Sequence, residues 1–376
     1  MIDMTCFRGM FSSMYSCFTV GLAAAHCSRV AQFPFGRILM AASPWESPTA
    51  SGAEARIAGI AAAIESDFAN WKSFDKVPRL AAHSRDGVIE LMPASDGELY
   101  AFKYVNGHPV NPARGLQTVV AFGMLSDVAT GYPLLISEMT LLTALRTAAT
   151  SALAARYLAR TDATRMALIG CGSQSEFQAL GFRALLGINT LTLWDTDPAA
   201  MVKAEANLAR LGFSVRIAQD AADAVSEADI VTTCTADKTL ATILLDEHVR
   251  PGMHLNAIGG DCPGKTELDT RILRRARIVV EFEPQTRLEG EIQHLPAEHA
   301  VTELWQIIRN EAPGRRSDEE ITVFDSVGFA IEDFAALRYV RDTLAADDSD
   351  ELDLLASPAD PKDLYSVVAA SVGTPA

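Results

Sequence analysis

Residues 165–195 (RMALIGCGSQSEFQALGFRALLGINTLTLWD) carry the first chemical expectation of this 376-residue chain. An apolar strand runs into Gly170-Cys171-Gly172-Ser173-Gln174-Ser175, a helix follows, and a second strand ends on Asp195. Gly170 permits the tight turn and Gly172 lets backbone approach a pyrophosphate, while the helix N-terminus offers unpaired N–H groups and the positive end of its dipole. Asp195 is placed to accept hydrogen bonds from a ribose diol and to repel a 2′-phosphate, so the expected cofactor is NAD rather than NADP. The third glycine of the fingerprint is replaced by Ser175, a residue small enough for close helix–strand packing.

A second group of residues is notable for charge in apolar surroundings. Arg79, Lys103 and Arg146 sit in apolar or alternating runs, and together they could bind a carboxylate, an Arg fork and a Lys point charge being complementary to one. Glu90, within VIELMP, is an acid in an equally apolar run and could hold a substrate ammonium. Arg146 lies inside a long Ala/Leu/Thr-rich helical segment, where an unpaired charge would be very costly. Its anion could be a structural carboxylate or a substrate, and the structural pair is the preferred expectation. Asp261 follows HLNAIGG at a strand's carboxyl end, so it either faces a nicotinamide pocket or caps the turn before Pro263.

The elements that must position these groups follow from periodicity. Ile57, Ile60, Ile64, Phe68 and Trp71 share one helical face, and residues 77–93, 98–108, 116–125 and 132–137 alternate as strands of an antiparallel or mixed sheet. Residues 138–159 read as a buried helix. Strand-like runs at 214–217, 229–234, 254–258, 277–282 and 321–324 alternate with helix-length segments, which implies a parallel doubly wound sheet. Ligands bind beyond the carboxyl ends of such strands, where residues 235–237 and 259–261 lie. The predicted fold class is therefore α/β: a Rossmann-type sheet over residues 159–325, plus a discontinuous α+β domain from residues 46–158 and 326–360.

Composition narrows the function further. A formal net charge of −16 with no offsetting basic cluster argues against nucleic acid, and no apolar run is long enough to span a bilayer. The six cysteines show no metal-ligand spacing, so no metal site is expected and reduced thiols fit a cytoplasmic location. Residues 1–45 read as an extension, either a targeting segment or, preferably, sequence upstream of a start at Met40, with order beginning near Ser51. The acidic stretch near residues 347–353 and the tail 361–376 read as solvated surface.

Taken together the chain resembles the ornithine cyclodeaminase and mu-crystallin family from about Phe68 to the acidic tail. The resemblance rests on residues 84–93 (SRDGVIELMP), 101–109 (AFKYVNGHP), 144–151 (ALRTAATS), 169–180 (IGCGSQSEFQAL), 253–268 (MHLNAIGGDCPGKTEL), 283–291 (EPQTRLEGE) and 323–330 (VFDSVGFA). It implies a redox-neutral cyclase that turns L-ornithine into L-proline and ammonia with tightly held NAD, working as a homodimer through the sheet-rich domain. In that pattern Arg79, Lys103 and Arg146 match the carboxylate-binding residues, Glu90 the ammonium-binding acid and Asp261 the general acid/base. Gln174, Asp195, Thr118 and Ser326 match positions near the cofactor. Other members' activities remain open alternatives: lysine cyclodeaminase, ketimine reductase or amino-acid dehydrogenase, and mu-crystallin-like binding protein.

Overall fold

The computed structural model describes residues 38–41, 50–235, 242–343 and 350–369. Helix α1 (Ala50–Ala69) forms where the apolar repeat foretells it, with Ile57, Ile60, Ile64 and Phe68 fully buried on one face. The first sheet contains β1 (Ile38–Ala41), β2 (Asp75–Lys76), β3 (Leu80–His83), β4 (Val88–Ser95), β5 (Leu99–Gly107), β6 (Ala121–Asp127), β7 (Pro133–Glu138) and β16 (Asp350–Leu352). Its order is β16-β1-β7-β6-β5-β4-β2, with β3 also paired to β4. Antiparallel pairing predominates and β1 runs parallel to β7, so the sheet is mixed. Along β5, Ala101, Lys103 and Val105 point inward and are buried while Tyr100, Phe102 and Tyr104 point outward, as the two-residue period dictates.

Two boundaries differ from expectation. Ile38–Ala41, assigned to the extension, is a strand held between β7 and β16, so sheet structure starts before Ser51. Asp350–Leu352, within the acidic stretch, pairs antiparallel with it. A short strand that gains its order from pairing with distant segments need not alternate, which is why neither segment signals itself locally. The remainder of the 1–45 extension, Asp237 and the end of the tail lie outside the described residues.

The second sheet is built from β8 (Arg165–Ile169), β9 (Thr190–Trp194), β10 (Ser214–Ile217), β11 (Ile230–Thr233), β12 (His254–Ala257), β13 (Arg277–Val280), β14 (Thr302–Glu303) and β15 (Thr322–Asp325). All its pairings are parallel, in the order β10-β9-β8-β11-β12-β15-β13-β14. The chain direction across the sheet reverses between β8 and β11, which puts the ligand crevice beyond the ends of those strands. Helix α2 (Thr140–Leu158) lies between the sheets and packs on α3 (Ser175–Leu186), so closely that a Cβ at Gly181 would sit 2.8 Å from the Ala148 carbonyl oxygen. Helices α4 (Pro198–Arg210), α5 (Ala221–Val225), α6 (Thr270–Arg275), α7 (Glu283–Glu289) and α8 (Leu304–Ile308) complete this domain. Helix α9 (Ala330–Thr343) leaves β15 and returns to α1, β4 and β5, as expected for a discontinuous first domain; a short α10 (Tyr365–Ala369) follows. Among the described residues no helix is long and apolar enough to cross a membrane.

An aromatic cluster joins the domains. Trp71 stacks on Trp305 at 6.0 Å between centroids and also meets Phe68, Phe282 and Phe329. Trp71 is 4% exposed, so truncation would empty a volume that both domains line. Trp71→Ala should destabilise the fold by about 3–5 kcal/mol, read from urea unfolding. A loss under about 1 kcal/mol would show that the cluster does not couple the domains.

Candidate functional site

The glycine loop meets the demands of a dinucleotide cradle. Gly170 has φ +102°, and a Cβ there would lie 2.7 Å from the Cys234 carbonyl, so only glycine fits. A Cβ on Gly172 would meet no atom within 4 Å, leaving open space above the N-terminus of α3. Gln174 occupies the N-cap position of α3, and its Oε1 is buried without a hydrogen bond. Ser175 is buried and its hydroxyl donates to the Gly172 carbonyl at 2.8 Å, which closes the turn where a third glycine would have stood. Asp195 stands at the end of β9: Oδ2 accepts the Cys171 N–H at 2.6 Å and Oδ1 the Asp197 N–H at 2.9 Å. Thus the carboxylate expected at the ribose also fixes the loop itself. An open cradle, an unpartnered buried acceptor and a carboxylate at the second strand's end fit NAD.

The basic set lies at the junction of the domains and is contiguous. Arg79 donates from Nη1 to Glu90 Oε2 at 3.1 Å and from Nη2 to the Gly328 carbonyl at 2.9 Å, with a further bond to the Val327 carbonyl. Gln285 secures the same residue, accepting the Arg79 backbone N–H and donating to the Gly328 carbonyl. Arg146 Nη1 lies 2.6 Å from Glu332 Oε2, and Nε lies 3.0 Å from Asp333 Oδ1. Lys103 Nζ is 2.8 Å from Asp333, so Arg146 and Lys103 share one acid. Gly328 joins the other side, since a Cβ there would come 2.7 Å from Arg146 Nη1. The structural carboxylate expected for Arg146 is therefore present, and in duplicate. Burial, then the adjacent Arg146, pulls the Lys103 ammonium down to about 8. Burial pushes the Glu332 carboxyl up to about 8 against the pull of Arg146.

Asp261 follows β12 with its side chain 54% exposed and Oδ1 3.5 Å from Lys265 Nζ. Lys265 also donates to the Thr235 carbonyl at 2.9 Å, tying the loops after β11 and β12 together. The turn through Pro263 is closed by Lys265 N–H to Cys262 O and anchored by Gly264 N–H to Gln293 Oε1, with no part taken by the Asp261 side chain in either bond. That leaves the Asp261 carboxylate available to the cleft, where its charge acts on Glu289 and Arg79. Ser326 is buried and hydrogen-bonded to Glu281, so it braces the turn after β15. Thr118 lies in the loop before β6, its carbonyl accepting the His108 N–H at 2.9 Å, with no hydrogen bond to the glycine loop among the described residues.

Several residues of the site escaped the sequence reading. Glu289, on α7, is 3.1 Å from Arg79 Nε, and Glu281 accepts from the Val327 and Gly328 N–H groups. A signal existed for two others: Glu332 and Asp333 are adjacent acids within the apolar run 329–337 and are the counterpart that Arg146 required.

Comparison with known proteins agrees with this arrangement. The family model for the ornithine cyclodeaminase/mu-crystallin family matches residues 47–348. The ornithine cyclodeaminase of Agrobacterium fabrum is 60% identical over 319 residues, covering 85% of this chain and 90% of that protein. A lysine cyclodeaminase, solved for its recognition of L-lysine, L-ornithine and L-2,4-diaminobutyric acid, superposes with a TM-score of 0.81 at 31% identity, covering 88% of this chain and 99% of that one. An archaeal alanine dehydrogenase dimer with bound NAD gives a TM-score of 0.77 at 32% identity, covering 85% of this chain and all of that one. The chain belongs to the ornithine cyclodeaminase/mu-crystallin family.

Proposed function

We propose that the protein is an NAD-dependent cyclising ammonia-lyase that converts L-ornithine to L-proline and ammonia. The observation that carries this reading is the convergence at one cleft of three cations, the acids Glu90 and Glu289 and the exposed Asp261, beside a dinucleotide loop. The high identity to the Agrobacterium fabrum enzyme supports the substrate. Gly170, Gly172, Gln174 and Asp195 would hold NAD, which would supply the hydride-accepting and hydride-donating chemistry. Arg79, Lys103 and Arg146 hold the substrate α-carboxylate, and Glu90 holds an ammonium group. Fixing both ends keeps the δ-nitrogen within about 3 Å of Cα once that carbon is an iminium, so ring closure is effectively unimolecular. Asp261 moves protons at the departing amine. The structure of lysine cyclodeaminase keeps the pipecolate-forming reaction as the second reading, because one methylene is discriminated by only about 1–3 kcal/mol. Cys171 and Cys234 carry no disulfide, in keeping with a cytoplasmic enzyme.

The outer face of the first sheet supports a homodimer. Leu80 (62% exposed), Ile89, Tyr100 and Phe122 (45%) leave an apolar surface, with Phe122 stacked on Tyr104 at 5.1 Å. A second copy of the same face would cover it.

Three outcomes test these assignments. L-Ornithine with a trace of NAD should yield proline and ammonia in excess over the cofactor; stoichiometric NADH would rule the cyclase out, and a parallel L-lysine assay ranks the two diamines. Asp195→Ala should weaken NAD by about 1.5–3 kcal/mol in calorimetry, the scale of a hydrogen bond to a charged group; unchanged affinity would remove the ribose role. Light scattering should report a dimer that Phe122→Lys splits into monomers, and an unaltered mass would place the interface elsewhere.

A further inference from the structure

L-Ornithine reaches the site with both amines protonated, and that fixes a proton inventory. The α-nitrogen must lose a proton before its lone pair can drive hydride from the Cα–H bond. The δ-nitrogen must lose another before its lone pair can form the new N–Cα bond. After closure one proton passes from the ring nitrogen to the departing amine, the old Cα–N bond breaks, and ammonia leaves a cyclic iminium that takes the hydride back. Only then do proline and ammonia recover the first two protons, ending as a zwitterion and an ammonium ion. One hydride goes out and one returns, and two protons leave the substrate before closure. An acceptor beside each amine takes both without a relay through water.

Asp261 accounts for one. Of the other carboxylates in the cleft, Asp333 is held by both Lys103 and Arg146, and Glu332 by Arg146 with no exposure. Glu90 accepts an aligned hydrogen bond from Arg79. Glu289 differs. It is 9% exposed; its Oε2 is 3.1 Å from Arg79 Nε, yet neither atom has a hydrogen-bond partner, so this is charge contact without alignment.

We propose that Glu289 takes the proton from the substrate δ-ammonium before ring closure, as a catalytic residue additional to Asp261; this rests on the ornithine reading above. Three charged groups face it: Arg79 from before β3, Glu90 from β4 and Asp261 from the loop after β12. On its own helix, Arg287 and Glu283 pair with each other at 2.8 Å. Burial pushes the Glu289 carboxyl up to about 7, Arg79 opposing and Glu90 and Asp261 adding to the rise. A base of that strength is about half ionised at neutral pH and accepts a proton without binding it too tightly to return. Because it must be ionised to act, turnover should fall as pH drops below about 7.

The test is rapid mixing of the NAD-loaded enzyme with L-ornithine, following reduced nicotinamide by absorbance and proline by quench. In Glu289→Gln the hydride should still leave the substrate, so reduced cofactor accumulates in the first turnover while proline formation falls by about 10²–10⁴-fold. The acidic limb of the pH profile should vanish with it. Glu289→Asp keeps a carboxylate and should recover part of the turnover and the limb. Proline formation by Glu289→Gln within about threefold of the parent overturns the proposal, as does a loss carried by KM alone, which would make Glu289 only a support for Arg79. Failure of both variants to reduce the cofactor overturns it too, since Glu289 would then be needed for hydride transfer from Cα and not for freeing the δ-nitrogen. A parent enzyme that makes no proline from ornithine refutes the underlying reading instead.

Discussion

Removing three cations from water at the base of one cleft is the constraint on which this architecture turns. Arg79, Lys103 and Arg146 have side chains no more than 7% exposed. An unpaired ion at such depth costs several kcal/mol, so each must meet an anion in good geometry. No nearby stretch of chain supplies the acids for Lys103 and Arg146. They come from α9, 230 and 186 residues later in sequence. The chain must therefore leave the parallel sheet and return to the first domain, and its discontinuity is the structural form of that charge requirement. Asp333 binds both cations, locking β5, α2 and α9 into one relative position.

The loops at the carboxyl edge of the parallel sheet are ordered by a related device. Glu267 accepts from the Thr235 N–H, Glu291 from the Glu267 and Leu268 N–H groups, Asp325 from the Glu291 and Ile292 N–H groups, and Glu281 from the Val327 and Gly328 N–H groups. Four buried carboxylates thus satisfy loop backbone donors that strands and helices leave unpaired. Burial pushes Asp325 up to about 7 and Glu291 well above the usual carboxylate range. Glycine makes room for them: a Cβ at Gly259 would fall 2.1 Å from the Glu267 carboxylate. The Val327–Gly328 turn that positions Arg79 is thereby held from beneath by Glu281 and from the side by Gln285.

What sequence could disclose follows the range of the interactions. Gly170 and Asp195 were legible because a tight turn and a strand-end acid are local demands, twenty-odd residues apart. Arg146 was legible as a charge in want of an anion, but its partners could not be named from a separation of 186 residues. The strand Ile38–Ala41 was missed since its order comes from pairing with β7 and β16 rather than from its own pattern. Glu289 was missed for a comparable reason: within EPQTRLEGE it looks like any helical surface acid, and only the fold buries it against Arg79.

Charge balance in the cleft bears on what it can hold. Asp261 is paired with Lys265, and Glu332 and Asp333 with Arg146 and Lys103, but beside Arg79 two carboxylates, Glu90 and Glu289, face one cation. A monoamino acid is a net-neutral zwitterion and would leave that excess of negative charge uncompensated. A diamino acid brings one more positive charge, which meets the surplus beside Arg79 where Glu90 and Glu289 stand. In a low-dielectric cleft, complementarity of this kind discriminates more sharply than a methylene's worth of length does. The site is therefore more selective for the presence of the second ammonium than for the number of carbons that carry it.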